Sequence, residues 1–76
     1  MMIVNERFYH NSTHGYQTKA CYISPEYIAD IHEVWEEYPH YCIIYMKDGR
    51  SIMVSDEFKK IMEMIKNDSG ISEQNA

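Results

Sequence analysis

The sequence predicts an α+β domain, an antiparallel sheet of four or five strands with an amphipathic C-terminal helix packed across it. Three observations carry that prediction. Tyr41-Cys42-Ile43-Ile44-Tyr45-Met46-Lys47 and Arg50-Ser51-Ile52-Met53-Val54 are β-favouring runs separated by Asp48-Gly49. An Asp-Gly pair between such runs is a strong hairpin signal, because both central residues of the favoured tight turn take positive φ. Directly after the second run, Ser55-Asp56-Glu57 opens a helical pattern that runs through Ile65.

The remaining elements follow in chain order. Residues 3–8 form a first strand, with Val4, Glu6 and Phe8 on one face and Ile3, Asn5 and Arg7 on the other. Residues 9–18 are polar and contain Gly15, so they read as an exposed loop leading to a second strand at 19–23. Two readings stand for residues 24–39. Ser24-Pro25-Glu26 supplies an N-cap, a proline at the first helical position and an acid in the first turn. Behind it Tyr27, Ile28, Ile31, Val34, Trp35 and Tyr38 recur at helical spacing before Pro39, and local physics favours this helix. The competing reading is one turn followed by a strand over 30–36. The final helix is expected over 56–66, capped by Ser55, with Phe58, Ile61, Met62 and Ile65 as its apolar stripe. Residues 1–67 are thus one domain, and the polar, aperiodic residues 68–76 are expected to fray as a disordered tail.

Composition bounds the function. Seventy-six residues lie near the lower limit for a self-sufficient core, so association with a second copy is a natural source of stability. Hydrophobic residues make up 45 % of the chain, and seven tyrosines, one tryptophan and two phenylalanines reject disorder for its body, since disordered chains are poor in aromatics. A formal charge of -5, with the seven cations scattered along the chain, argues against general nucleic-acid binding. No segment has the run of about 20 apolar residues that a membrane helix needs, and no signal peptide opens the chain. A cytoplasmic location is expected, with Cys21 and Cys42 as reduced thiols.

No set of residues reads as an active site, and the chain is expected not to be an enzyme. The four histidines and two cysteines match no zinc-finger, ribbon or knuckle spacing, so no metal is expected. Cys21 and Cys42 lie in apolar runs, where burial raises a thiol's pKa and makes it inert. Three glycines cannot build a phosphate loop, and no cofactor is expected. What stands out is seven tyrosines with one tryptophan, residue types enriched at the centres of protein interfaces. Tyr41, Ile43 and Tyr45 fall on one face of the third main strand, and Cys42, Ile44 and Met46 on the other. Both faces are apolar and each must be covered. The helix covers one; residues 24–39 or a second subunit must cover the other. The expected contact residues are Trp35, Tyr38, Tyr41 and Tyr45, and the expected partner is a protein or a second copy of the chain.

The runs Tyr22-Ile23-Ser24-Pro25-Glu26-Tyr27-Ile28-Ala29-Asp30-Ile31 and Ile43-Ile44-Tyr45-Met46-Lys47-Asp48-Gly49-Arg50-Ser51-Ile52-Met53-Val54-Ser55-Asp56-Glu57-Phe58 resemble the small FlbD-like bacterial proteins, often found near flagellar genes. The resemblance covers roughly residues 20–66. It implies a strand over 29–36 and a non-catalytic protein, and it carries over no functional residue. The chain departs from that pattern in a longer first loop and in residues 33–40. The Asp-Gly hairpin before a helix also resembles the LytTR-type DNA-binding domain, although the chain is acidic and stops where the recognition segment of that domain begins. The leading expectation is therefore a small cytoplasmic interaction or regulatory module that self-associates. The rivals are a LytTR-like transcriptional regulator and an acidic inhibitor from a phage or mobile element.

Overall fold

In the computed structural model, which describes residues 1–73, five strands form one open sheet and a single helix lies across it. In chain order these are β1 (Met2–His10), β2 (Gly15–Ile23), β3 (Ile28–Val34), β4 (Tyr41–Met46), β5 (Ser51–Val54) and α1 (Phe58–Glu73). Their order across the sheet is β2-β1-β5-β4-β3, and every pairing is antiparallel. The fold class is the expected one. Among the described residues no helix is long and apolar enough to cross a membrane.

The sheet has two parts. β1 and β2 form a hairpin in continuous register from Met2↔Ile23 to His10↔Gly15. β3, β4 and β5 form a meander, with Ile31↔Ile44 and Ile44↔Ile52 stacking three isoleucines on one row. The two parts meet at one bridge, Glu6↔Val54. Next to it, Ser55 N–H donates to Asn5 O (2.9 Å), and Asp56 Oδ1 accepts the Asn5 N–H (2.6 Å). Asp56 Oδ2 also accepts from Asn5 Nδ2 at 3.2 Å. Asp56 therefore stands in for a backbone carbonyl just after β5 has ended, and it is 6 % exposed. This corrects its expected role at the helix start: the helix begins at Phe58, and neither Ser55 nor Asp56 caps it.

Several boundaries also differ from the sequence reading. The loop expected over 9–18 shrinks to the four residues between β1 and β2, closed by His14 N–H to Asn11 O (3.3 Å) with His14 at φ 54. Cross-strand partners account for this, since Tyr9 and Tyr16 meet edge to face at 5.6 Å. Residues 24–39 are not a helix. Pro25–Tyr27 make a single 3₁₀ turn, and Ile28–Val34 form edge strand β3 with a bulge between Ile28 and Asp30. The open side of β4 explains the outcome. Pairing there puts Ile28 and Ile31 against the core, whereas a free helix would have no surface to cover. The β4–β5 turn also differs, because only Gly49 has positive φ (97). Met46 N–H donates to Arg50 O (2.8 Å) and Gly49 N–H to Met46 O (3.0 Å), giving a three-residue loop with glycine in the left-handed position.

The core lies between the sheet and α1. Val4, Ile44, Val54 and Ile61 are fully buried, joined by Met2, Ile23, Cys42 and Met46. From α1, Ile61 is buried while Phe58, Met64 and Ile65 pack against the same cluster; Met62, expected in the stripe, is 42 % exposed. The helix runs past Lys66, where it was expected to end, to Glu73. Of the tail expected over 68–76, residues 74–76 lie outside the described residues.

Candidate interaction face

Directly paired residues share a face, so the register separates the two sides of the sheet. The helix side carries Val4, Cys42, Ile44 and Val54. The opposite side carries Ile3, Arg7 and Tyr9 from β1, Tyr16 and Tyr22 from β2, Tyr41, Ile43 and Tyr45 from β4, and Met53 from β5. Because Ile28–Val34 joins the sheet as an edge strand, no helix or strand of the described chain lies over this second side, and Glu37 of the following loop stands beside Tyr41. Tyr16 is 53 % exposed, Tyr22 66 % and Tyr45 37 %.

The expected contact residues divide into two groups. Tyr41 and Tyr45 lie on the open face, Tyr45 with its ring edge to face with His32 at 5.1 Å. Burial and then the Glu37 carboxylate push the Tyr41 hydroxyl above its ordinary pKa. Trp35 and Tyr38 instead sit in the loop between β3 and β4 and are 60 % and 84 % exposed. Both rings meet His40, at 4.2 and 5.7 Å between centroids.

The sequence reading missed the residue at the centre of the face. The Arg7 guanidinium carbon lies over the Tyr16 ring at 4.0 Å and over the Tyr41 ring at 4.2 Å. Each contact is worth about 0.5–2 kcal/mol, more when water is excluded. Arg7 is 9 % exposed, and its Nη1 is buried without a hydrogen-bond partner. No ion pair or hydrogen bond to its side chain occurs among the described residues. Nothing local could have signalled this, since the three residues come from three strands.

The other side chains with chemical potential are dispersed. Cys42 lines a cavity of about 200 Å³ with Glu33, Trp35, His40 and Phe58 at the start of α1. Burial, then Glu33 and Asp56, push its thiol up to about 11, so it stays protonated at neutral pH. Burial likewise raises the Cys21 thiol. His32 Nε2 and Asp30 Oδ2 are 2.8 Å apart, and this bond, followed by the Ile31 N–H, holds the Asp30 carboxyl below its usual range. Among the described residues no three His, Cys, Asp or Glu side chains converge as a metal site. No protein-family model, curated protein or solved structure matches this chain.

Proposed function

We propose that this chain is a small cytoplasmic protein-interaction or regulatory module that acts by contact rather than catalysis, and that its open sheet face is the contact surface. The observation that carries this reading is the uncovered side of β4. Tyr41, Ile43 and Tyr45 give β4 a second largely apolar side, half-buried at Tyr41 and Ile43 and exposed at Tyr45, while Ile28–Val34, which could have shielded it, is built into the sheet edge. Natural monomers rarely leave contiguous apolar surface of this kind without a use. The first partner is a second copy of the chain. The resemblance to FlbD-like proteins accords with a non-catalytic role.

Light scattering on chromatographed protein across a concentration series tests it. The expected result is a mass that rises from 9.1 kDa towards twice that value. The substitution Ile43→Asp, which places a charge at the middle of the face, is expected to restore the single-chain mass. A strict monomer at millimolar concentration would overturn the reading. A LytTR-like role finds less support, since the face offers one unpaired cation in a chain of charge -5. That role requires a salt-sensitive shift of duplex DNA.

A further inference from the structure

The cavity between the ends of β3 and β4 and the start of α1 brings aromatic walls and carboxylates together. Its lining includes Trp35, His40 and Phe58, and its volume is about 200 Å³. Pockets for drug-sized ligands run from about 300 Å³ upward, so this one admits a single small group. Cys42 and Asp56 are its two buried lining residues. Trp35 is held at the rim by its ring contact with His40, yet most of its surface stays exposed and free to meet a ligand.

Charge names the kind of group. Glu33, Asp56 and Glu57 line the cavity, with Lys59 as the one lysine or arginine beside them. The first turn of α1 adds roughly half a positive charge, and three carboxylates still outweigh both. Among the described residues, Glu33, Glu57 and Lys59 make no ion pair and no side-chain hydrogen bond. Asp56 accepts only from Asn5, which is neutral, so its buried carboxylate has no cationic partner. Buried charges are ordinarily paired. The same negative field reaches Cys42, whose thiol is pushed up by Glu33 and Asp56 after burial itself.

A bare metal ion does not suit the place. No three His, Cys, Asp or Glu side chains among the described residues converge to hold one. An alkylammonium group needs no such convergence. Ring faces attract it, tryptophan most strongly, and carboxylates a few ångströms further out complete its neutralisation.

We infer that this cavity is a binding site for an alkylammonium group, held against Trp35 and Phe58 and neutralised by Glu33, Asp56 and Glu57. The site lies on the helix side of the sheet, so it stands independently of any contact at the open face.

The test is a titration of the full chain with choline, at ionic strength matched with sodium chloride. It is followed by the emission of Trp35, the chain's one tryptophan, and by the ¹⁵N amide cross-peaks of Cys42 and Phe58. The control ligand is the uncharged analogue of choline in which carbon replaces the nitrogen. Choline is expected to change both signals saturably in the millimolar range, and the analogue to bind roughly tenfold more weakly or worse. A Glu33→Gln, Glu57→Gln double variant, shown to fold by circular dichroism, is expected to weaken choline by roughly tenfold and to leave the analogue unchanged. Asp56 is left intact because it joins the sheet halves. A trimethyl-lysine peptide titrated in parallel distinguishes the source: tighter binding than choline assigns the group to a protein side chain, weaker binding to a free small amine. Equal responses to choline and its analogue would leave only an apolar hollow and overturn the cation. Shifts reproduced by sodium chloride alone, or no response well above the millimolar range, would overturn the site, and neither outcome depends on a variant.

Discussion

At the residue scale, Asp56 carries the clearest energetic consequence. Its carboxylate accepts both the backbone and the side-chain amide of Asn5 where the hairpin meets the meander. Asp56→Ala leaves the Asn5 N–H facing a void and is expected to cost about 1–3 kcal/mol. Asp56→Asn keeps one acceptor and is expected to cost less. Against a total of roughly 4–11 kcal/mol for a domain of this length, the alanine variant gives up a large fraction. Urea unfolding of the two variants measures the difference, and equal losses would remove the assigned role. Arg7 shows why residue-scale function was harder to read than residue-scale burial. Alternation within β4 already put Tyr41, Ile43 and Tyr45 together, because strand period is local. The meeting of Arg7 with Tyr16 and Tyr41 depends on strand order, which no window of sequence contains.

At the element scale, the β4–β5 turn makes a sharp demand. Gly49 sits at φ 97, and a Cβ added there would meet nothing within 4 Å, so any cost of substitution is conformational. Gly49→Ala is expected to destabilise by about 1–2 kcal/mol. Gly49→Asn is expected to cost less, since asparagine tolerates positive φ. Chemical denaturation checks both, and an unchanged alanine variant would contradict the turn geometry. The Asp-Gly pair and the helical stripe were legible in the sequence because turn and helix preferences act over a few residues. Residues 24–39 were harder to read for a physical reason. Ile28, Ile31, Val34 and Trp35 satisfy a helical period, and the proline turn before them resembles a helix start. Only the free edge of β4, remote in sequence, gives the extended form its hydrogen bonds. The long hairpin was hidden for a similar reason: residues 9–18 are polar because both strand ends are exposed, not because they are irregular.

At the scale of the whole molecule, pH response follows from exposed carboxylates. The Asp30 carboxyl is lowered from 3.8 by His32 first and the Ile31 N–H second, and that of Asp48 by the Arg50 N–H and guanidinium. A carboxyl lowered on folding contributes stability that is present above its unfolded pKa and lost as pH falls through its folded one. Thermal midpoints are therefore expected to hold at neutral pH and to decline below about pH 4. Both groups are solvent-exposed, so the decline they cause is small. An Asp30→Asn, Asp48→Asn double variant is expected to show less of it, and an identical acid profile would contradict the assignment.

The molecule measures 49 × 22 × 19 Å, and its two sheet halves are joined by the Glu6–Val54 bridge, the Asn5 bonds to Ser55 and Asp56, the Arg7 contact with Tyr41 and one common core. Tyr9 and Tyr16 stand on one half, Tyr41 and Tyr45 on the other. A body laid across the seam would gain contact from both, so cutting the Asn5–Asp56 tie would loosen the spacing of the rings as well as the fold.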